Sequence, residues 1–441
     1  PSTILVIFGV TGDLSHRYLL PALSQVAAAG QLPKDFKVIG ISRRNLKTQE
    51  LLEDNEAALK KYIEPLQMNL SQLTDYSRLK KYLESSHGKT SLKRQIIFYF
   101  AVPPLAVLPI IRLLGQAGLN GEGTKLLLEK PFGTDLESAR ELIEETARHF
   151  KDNQVYRIDH YLAKEMAQNI TVFLASNAIF RSIWDNRFVE KIEIDVAEKI
   201  GIEGRAAFYE PTGALRDIVQ SHLLQLAALT LMEPCSGVFE FSELPARRLA
   251  ALKSLQPARQ DSIVRGQYLG YRTEVSNPRS ATETFVSLTV TSADPRWEGV
   301  PIRLTTGKNL SERLTEIRIH FKQSDASQAN VLTLRVQPRE GIELELWVKQ
   351  PGYERKLQKL PLHFTYEQHF DRVPDAYEQV LFDAMHSNPG LFSSNDEVLA
   401  TWETLQPIQS RWEMDDKDLQ FYKPGSTITE ILKTRLPPNG V

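Results

Sequence analysis

The stretch RIDHYLAKE, residues 157–165, carries side chains that could bind an anion and move a proton. Its first three residues complete the run QVYRID, residues 154–159, which is typical of a strand that ends at Asp159. We predict that a helix begins there, so that His160 and Lys164, four residues apart, share one side of its first turns with Tyr161. A helix N-terminus also provides free N–H groups and positive potential. The three side chains could therefore hold a phosphate, or Asp159 could simply cap a solvated helix.

Two other segments could complete a site. LLLEKPFG, residues 126–133, ends a strand with Glu129 and Lys130, and ligands of open parallel sheets bind beyond the carboxyl ends of strands. The segment 212–232 is typical of a helix that carries His222 on an apolar face. Such a histidine is usually a core residue, but a buried neutral imidazole is also what a general base needs at neutral pH. The residues alone do not identify the carboxylate that would orient it.

A glycine turn near the start of the chain indicates a dinucleotide site. Gly9 and Gly12 lie between a first apolar strand and a helix, and the small Ser15 follows three positions later. Glycines at such a turn let backbone N–H groups approach a pyrophosphate at the helix start. The second strand ends with Arg43 and Arg44 where NAD sites usually carry an acid. Because a guanidinium pairs well with a 2′-phosphate, NADP is favoured as the cofactor, with NAD as a weaker alternative. The alternative without a function is that both arginines are simply solvated, as paired surface arginines usually are.

These residues need a scaffold, and the hydrophobic pattern predicts an α/β domain followed by an α+β domain. Buried strands at 3–8, 36–42, 95–100, 125–130 and 154–159 alternate with amphipathic helices, which predicts a Rossmann-like doubly wound parallel sheet. From about residue 190 the strands alternate strictly, as in a large, mainly antiparallel sheet with one wet face. We expect helices at about 211–232 and 374–386 to cover its other face. The predicted domains are 1–177, which binds the dinucleotide, and 178–441, which binds substrate and forms the oligomer.

Composition narrows the possible classes of function. The 441 residues are 42% hydrophobic and 24% charged, with a net charge of −2, which argues against general binding to nucleic acid or to an anionic membrane. The single cysteine, Cys235, excludes an intrachain disulfide and a cysteine metal cluster and fits a reducing compartment. No leader-like segment opens the sequence. We therefore expect a cytoplasmic protein with no membrane and no nucleic-acid partner.

The quoted segments resemble one enzyme family. The chain is similar to glucose-6-phosphate dehydrogenases in VIFGVTGDL, FYFAVPP, EKPFG, RIDHYLAKE, GIEGRAAFYEPTGALRDIVQSHLLQ and TTGKNL, and later in DAYEQVLFDAM and YKPGS. The resemblance runs from residue 4 to about 426. The block around His160 and the block around His222 are specific together, whereas the glycine turn alone is not.

The resemblance implies a role for each matching residue. It implies His222 as the general base that removes the proton of the sugar's anomeric hydroxyl, and Asp159 as the carboxylate paired with it. It implies that substrate binds to His160, Tyr161, Lys164, Lys130, Glu198, Asp217, Lys308 and Arg313. It implies that cofactor binds to Gly9, Thr11, Gly12, Asp13, Leu14, Arg43, Ala101 and Lys130. On an α-helix Asp217 and His222 would diverge by about 140°, which argues against Asp217 as the direct partner of His222.

The function implied is NADP-dependent oxidation of D-glucose 6-phosphate to 6-phospho-D-glucono-1,5-lactone, the first step of the pentose phosphate pathway, with no metal. A homodimer or homotetramer is expected from the same resemblance. The chain departs from it at Tyr18, where many relatives have a lysine, and at Ala163, where many have glycine. The alternatives are a dehydrogenase for another hexose phosphate and a catalytically silent NADP-binding relative that regulates a partner.

Overall fold

The computed structural model describes residues 2–85, 94–323 and 329–433. The strands are β1 Thr3–Phe8, β2 Phe36–Ser42, β3 Ile63–Gln67, β4 Gln95–Phe100, β5 Thr124–Leu128, β6 Val155–Ile158, β7 Val189–Ala197, β8 Leu255–Gln256, β9 Ile263–Tyr268, β10 Phe285–Ser292, β11 Ile302–Gly307, β12 Leu314–Phe321, β13 Val331–Gln337, β14 Gly341–Lys349, β15 Leu357–Thr365, β16 Phe392–Ser393 and β17 Leu419–Tyr422.

The α-helices are α1 Leu20–Ala28, α2 Leu73–Ser85, α3 Pro104–Gln116, α4 Leu136–Ala147, α5 Glu165–Ser176, α6 Ala178–Ser182, α7 Ala206–Tyr209, α8 Leu224–Leu231, α9 Leu244–Ser254, α10 Tyr271–Glu274, α11 Tyr366–His369, α12 Ala376–His386, α13 Asn395–Met414 and α14 Ile428–Lys433. Two π-helices, Ser15–Leu19 and Leu215–Leu223, directly precede α1 and α8. Short 3₁₀ helices span Thr48–Glu50, Asp54–Leu59, Asp152–Gln154, Phe241–Glu243 and Gln260–Ser262. Within the described residues, no helix combines the length and the apolar character needed to cross a membrane.

The chain divides into two compact units. The first unit comprises Pro1–Ala163 and Pro374–Val398, and the second comprises Lys164–Val373 and Leu399–Val441. The predicted division of function at residue 177 stays a prediction, because a contact-based division does not test which residues bind cofactor or substrate.

The first unit contains a seven-stranded sheet in the order β16-β6-β5-β4-β1-β2-β3. Neighbours from β1 to β6 pair in parallel, which confirms the doubly wound prediction. Apart from the edge strand β3, these strands are mostly apolar and buried, as expected where helices cover both faces of a parallel sheet. The sequence analysis missed β3, whose central proline weakens the strand signal, and the two-residue antiparallel edge strand β16.

Helix α12 does not lie where it was predicted. It was expected to cover the second-domain sheet, but Ala376, Val380, Leu381 and Ala384 belong to the first unit's core, together with residues of β1, β2 and α1. The prediction was wrong because an apolar helix face shows that a helix is buried without showing which core it joins. Lys125 of β5 holds the end of α12, since its Nζ donates to the Ala384 carbonyl at 2.9 Å and to Ser387 Oγ at 2.6 Å.

The second unit contains a ten-stranded sheet. Nine strands follow the order β15-β14-β13-β12-β7-β11-β10-β9-β17, and β8 pairs with β10. Most pairs are antiparallel, which confirms the predicted fold class, although β7 with β11 and β9 with β17 are parallel. The π-helix Leu215–Leu223 packs on β7 and β11, so the predicted helix at 211–232 does lie against this sheet.

The prediction that one face of this sheet is exposed to solvent is wrong for the central strand β7. Glu193 and Asp195 alternate with Ile192 and Ile194 as predicted, yet all four are buried. The acids are enclosed because basic residues on the neighbouring strands pair with them: Arg303 lies 3.1 Å and His320 2.8 Å from Glu193, and Arg318 pairs with Asp195. Burial alone would raise the pKa of Glu193, but His320, Arg303 and Arg318 hold it well below its ordinary value.

Candidate active site

The glycine turn connects β1 to the helical segment beside the end of β4. The Gly12 N–H donates to the Gly9 carbonyl at 2.9 Å, and the Ser15 hydroxyl donates to the same oxygen at 3.0 Å. Gly9 has φ +82°, and a Cβ added there would lie 2.1 Å from the Ala101 carbonyl oxygen. The structure therefore brings Gly9, Gly12 and Ala101 together, and only glycine fits the first position.

Three further predicted cofactor residues, Thr11, Asp13 and Leu14, lie in this turn or directly after it. Leu14 packs against the first unit's core, Thr11 is partly exposed, and the exposed Asp13 pairs with Arg17 at 3.4 Å.

The helical segment after the turn begins as a π-helix before α1, which was not predicted from the sequence. Pro21 in the first turn of α1 has no N–H to donate to the carbonyl four residues earlier, so the regular α ladder cannot run through this point.

Both candidate 2′-phosphate residues are exposed directly after β2. Arg43 and Arg44 follow Ser42, whose hydroxyl accepts the Arg44 N–H at 3.0 Å. The Arg43 carbonyl accepts from the side chain of Gln67 at the end of β3, 3.2 Å away. The backbone is therefore held while both guanidinium groups face solvent, where a phosphate could meet them.

The segment after β6 differs from the predicted helix start. Asp159 Oδ1 accepts the Tyr161 N–H at 2.9 Å and the Asp159 carbonyl accepts the Leu162 N–H at 3.1 Å, so residues 160–163 form turns. Helix α5 begins at Glu165, with Lys164 as its extended N-cap residue. The prediction that His160, Tyr161 and Lys164 share the first turns of a helix is wrong, because the aspartate side chain stabilises a local turn instead.

Aromatic rings surround His160 within the first unit. Its imidazole lies 4.9 Å from the Tyr161 ring and nearly parallel to the Tyr377 ring, 6.4 Å away between centroids. Tyr377 in turn stacks on Tyr18, the residue that replaces the relatives' lysine, at 5.5 Å. Sequence reasoning missed Tyr377 because more than 200 positions separate it from His160. The only available signal was its place in the DAYEQVLFDAM segment.

Lys130 and Glu129 lie at the carboxyl end of β5, as predicted. The Tyr99 hydroxyl of β4 donates to Glu129 Oε1. Burial raises the pKa of Glu129 to about 7, while the Tyr99 hydrogen bond and Lys130 oppose the rise and Asp159 adds to it. Because β5 and β6 pair in parallel, Glu129 and Lys130 at the end of β5 lie near Asp159 at the end of β6. Asp159 itself is 2% exposed.

In the second unit, His222 lies on the π-helix Leu215–Leu223 and is 1% exposed. Asp217 is on the same helix, five residues earlier. Since π-helical hydrogen bonds join residues five apart, Asp217 and His222 lie about one helical turn apart and therefore on a similar side of the helix. The divergence of about 140° expected for an α-helix is therefore wrong here, because its premise was regular α geometry.

A buried acid that the sequence analysis overlooked anchors this π-helix. Glu283 Oε1 accepts the Leu215 N–H at 2.9 Å, and the Glu283 carbonyl accepts the Ala214 N–H at 3.0 Å. Burial raises the pKa of the Glu283 carboxyl, although backbone hydrogen bonds from Leu215 and from Glu283 itself oppose the rise. Gly213, with φ +66°, makes room for it, since a Cβ there would lie 2.3 Å from Oε1. Glu283 thus fixes the start of the helix that carries Asp217 and His222.

Three predicted sugar-contacting residues meet in the second unit. Lys308 Nζ lies 2.5 Å from Glu198 Oε2 and 3.8 Å from Asp217 Oδ2, and the lysine is 2% exposed. The cluster joins the ends of β7 and β11 to the π-helix. Arg313 is exposed, and its Nη2 donates to Gln337 Oε1 at 3.5 Å. Lys308 is a hydrogen-bond donor and Glu198 and Asp217 are acceptors, and a sugar hydroxyl can pair with both kinds of group.

Comparison with known proteins identifies the family. The chain matches the glucose-6-phosphate dehydrogenase NAD binding domain over residues 6–169 and the glucose-6-phosphate dehydrogenase C-terminal domain over residues 171–436. The glucose-6-phosphate 1-dehydrogenase of Chlamydia muridarum (strain MoPn / Nigg) is 36% identical over 93% of this chain and 90% of its own length. The chain belongs to the glucose-6-phosphate dehydrogenase family.

Other members of the glucose-6-phosphate dehydrogenase family agree in sequence and in fold. The enzyme of Dickeya dadantii (strain 3937) is also 36% identical, over 96% of this chain and 94% of its own. A solved structure described as glucose-6-phosphate dehydrogenase in complex with its substrate glucose-6-phosphate superimposes with a TM-score of 0.91. It is 28% identical and covers 100% of this chain and 99% of its own. The resemblance stated from the sequence is confirmed.

Proposed function

We propose that this protein oxidises D-glucose 6-phosphate to 6-phospho-D-glucono-1,5-lactone with NADP, the first step of the pentose phosphate pathway. Membership of the dehydrogenase family supports an oxidoreductase. The observation that carries the proposal is the buried His222 on the π-helix that also delivers Asp217 to Lys308 and Glu198. The proposed base and one proposed sugar-binding residue, Asp217, thus share one helix of the second unit, and Lys308 and Glu198 contact that helix through Asp217 or lie beside it.

The proposed chemistry balances without a metal. His222 takes the proton of the hydroxyl on C1 while the hydrogen on C1 leaves as hydride, so that the C1 carbonyl of the lactone forms. Bound NADP supplies the hydride acceptor. The Gly9 turn fits such a dinucleotide, because the position tolerates no Cβ and exposes backbone near the start of a helix. Asp159 is proposed to pair with His222 and to stabilise its protonated form.

The remaining predicted residues take binding roles in this proposal. His160, Tyr161 and Lys164 hold the substrate phosphate, and Arg313 adds positive charge near it. Lys130, Glu198, Asp217 and Lys308 orient the sugar so that C1 faces both the base and the nicotinamide. Steady-state rates with a panel of hexose phosphates test this substrate. A higher kcat/KM for another hexose phosphate than for glucose 6-phosphate would overturn the choice of substrate.

NADP as the preferred cofactor depends on Arg43. A guanidinium at the end of β2 can pair with the 2′-phosphate, which NAD lacks. We expect Arg43→Ala to raise the KM for NADP at least about tenfold with little change in the KM for NAD. Arg44→Ala, measured in parallel, shows what the neighbouring guanidinium contributes to the same preference. Equal effects on both cofactors would contradict the preference.

The organisation of the protein in the cell is part of the proposal. Residues 1–177 form the dinucleotide-binding domain and 178–441 the domain for substrate and association. The protein assembles as a homodimer or homotetramer in the cytoplasm. Sedimentation of the purified full chain measures the assembly, and a monomer at micromolar concentration would contradict it.

A further inference from the structure

Tyr209 lies against the charged cluster of the second unit without belonging to any predicted set of site residues. It is the last residue of α7 and is 2% exposed. The Lys308 Nζ lies 5.0 Å from the centroid of its ring. This distance is within the range in which the face of an aromatic ring attracts an ammonium group, and the attraction is stronger where water is excluded.

The other contacts of Lys308 show what the ring contributes. Glu198 Oε2 and Asp217 Oδ2 lie 2.5 Å and 3.8 Å from Nζ, so the nearer carboxylate alone would draw the ammonium towards β7. Both backbone polar groups of Lys308 are hydrogen-bonded. Its N–H donates to the Thr284 carbonyl at 2.8 Å, and its carbonyl accepts from Tyr422 Oη at 2.6 Å. The flexible four-carbon side chain is therefore the part that needs a third contact, and the ring of Tyr209 provides it.

The hydroxyl of Tyr209 contributes no comparable contact. Its Oη is sealed from solvent and makes no hydrogen bond to any residue that the structure describes. Burial, followed by the charges of Asp217, Glu283 and Glu198, keeps the pKa of this phenol well above its ordinary value. The phenol thus stays neutral. A buried donor without a protein partner lowers stability, so the contact that this residue makes with Lys308 is attributed to its ring and not to its hydroxyl.

We propose that Tyr209 is a positioning residue that acts through Lys308, and that the face of its ring, rather than its hydroxyl, holds the ammonium where it meets the sugar. The inference deepens the proposed function and rests on it for the role of Lys308. The contact between Tyr209 and Lys308 itself is independent of that function and can be measured without substrate.

The test compares Tyr209→Phe, which keeps the ring, with Tyr209→Leu, which removes it, in the full-length chain. We expect Tyr209→Leu to raise the KM for glucose 6-phosphate about tenfold or more, with kcat and the Kd for NADP changed much less. Tyr209→Phe should keep the wild-type KM and unfold at a temperature about 2 °C or more higher, because the unpaired hydroxyl is gone. A Tyr209→Phe variant that loses as much affinity as Tyr209→Leu would overturn the proposal.

Tyr271→Phe is the control for stability. Tyr271 packs edge-on against Tyr209, with 6.2 Å between ring centroids, and its hydroxyl donates to Glu210 at 2.8 Å. Removing this hydroxyl should lower the unfolding temperature while leaving the KM unchanged. If Tyr271→Phe raises the KM as much as Tyr209→Leu, the effect is one of general stability and the proposal fails.

A second readout separates this inference from the proposed function. The rate at which an amine-selective acylating reagent modifies Lys308, followed by mass spectrometry, requires no substrate. We expect Tyr209→Leu to speed the modification several-fold and Tyr209→Phe to leave it unchanged. Equal rates in all three proteins would overturn the inference even if glucose 6-phosphate is oxidised. A wild-type protein that oxidises no glucose 6-phosphate yet shows this protection would overturn only the proposed function.

Discussion

At the scale of single residues, the carboxyl end of the parallel sheet contains an acid whose charge depends on its surroundings. The Glu129 carboxyl accepts a hydrogen bond from the Tyr99 hydroxyl and lies next to Lys130 in the sequence. Burial raises the pKa of Glu129, and the charge of Asp159, at the end of the adjacent strand, adds to the rise. Because Glu129 lies beside two predicted site residues, Lys130 and Asp159, its protonation changes the electrostatic field around them. The sequence showed Glu129 at a strand end, but the hydrogen bond from Tyr99 depends on the pairing of β4 with β5.

Glu129 makes the stability of the protein depend on pH. Because burial raises its pKa in the folded protein to about 7, above the ordinary 4.5, folding favours the protonated carboxyl. The stabilisation is present below about pH 4.5 and is lost as the pH rises through 7. We expect the free energy of unfolding of the wild type, relative to Glu129→Gln, to fall by about 2–3 kcal/mol between pH 5 and 8.

Urea unfolding at several pH values measures this difference. Tyr99→Phe removes a hydrogen bond that favours the carboxylate, so it should move the pH range of the loss upwards. A difference between wild type and Glu129→Gln that stays constant from pH 5 to 8 would contradict the raised pKa.

Gly9 allows a second prediction at this scale. Alanine there must both adopt φ +82° and place its Cβ 2.1 Å from the Ala101 carbonyl oxygen, so the ends of β1 and β4 must separate. We expect Gly9→Ala to weaken NADP binding at least about tenfold, measured by fluorescence titration. Gly30→Ala is the matched control, since Gly30 has φ +70° but open space around its Cβ position. Unchanged NADP affinity in Gly9→Ala would show that the turn does not hold the cofactor.

At the scale of elements, the strands were predictable and the helix geometry was not. Strands such as β1, β2 and β4 were predicted at their observed bounds because buried parallel strands are continuous apolar runs between turn residues. The two π-helices were missed because their side chains give no distinct period. The start of α5 was placed at His160 because the turn made by the Asp159 side chain cannot be told from a helix cap in the sequence.

The π-helix that carries His222 depends on Gly213. Alanine at this position must adopt φ +66°, and its Cβ would lie 2.3 Å from Glu283 Oε1, which caps the helix through the Leu215 N–H. We expect Gly213→Ala to lower the free energy of unfolding by about 2–4 kcal/mol, the sum of backbone strain and an unseated buried carboxyl. Thermal unfolding and denaturant titration measure it.

Gly204→Ala separates the two causes. Gly204 has φ +75° with nothing within 4 Å of its Cβ position, so this variant carries backbone strain alone, about 1 kcal/mol. We also expect kcat to fall in Gly213→Ala and to remain near the wild-type value in Gly204→Ala. Equal stability losses in the two variants would contradict the role of Glu283 as the anchor of this helix.

At the scale of the whole molecule, the chain order does not follow the division into units. After the large sheet, residues Pro374–Val398 return to the first unit, where Lys125, Gln95 and the core around α1 hold α12. This return could not be predicted from the sequence, since the contacts that fix it span more than 250 positions. It delivers Tyr377 to His160, so that a residue late in the chain completes the surroundings of a predicted phosphate ligand.

The candidate site could be predicted residue by residue because specific motifs mark it, but its local geometry could not. The sequence indicated Lys308, Glu198 and Asp217 separately, and the structure joins them by ion pairs. It did not single out Glu283, Tyr209 or Tyr377, although the two tyrosines lie in segments that resemble the family, because their contacts are with residues distant in the sequence. The pairing of Asp159 with His222 stays a prediction that activity measurements must test.

The most direct test is the formation of NADPH, followed by absorbance, from glucose 6-phosphate and NADP with the wild type and with His222→Asn. We expect turnover by the wild type and a fall of several orders of magnitude in the variant, of which loss of the general base supplies roughly 10²–10⁴. NADP binding and the unfolding temperature of the variant should stay close to those of the wild type. A wild-type protein that forms no NADPH, or a His222→Asn variant that works at the wild-type rate, would contradict the account.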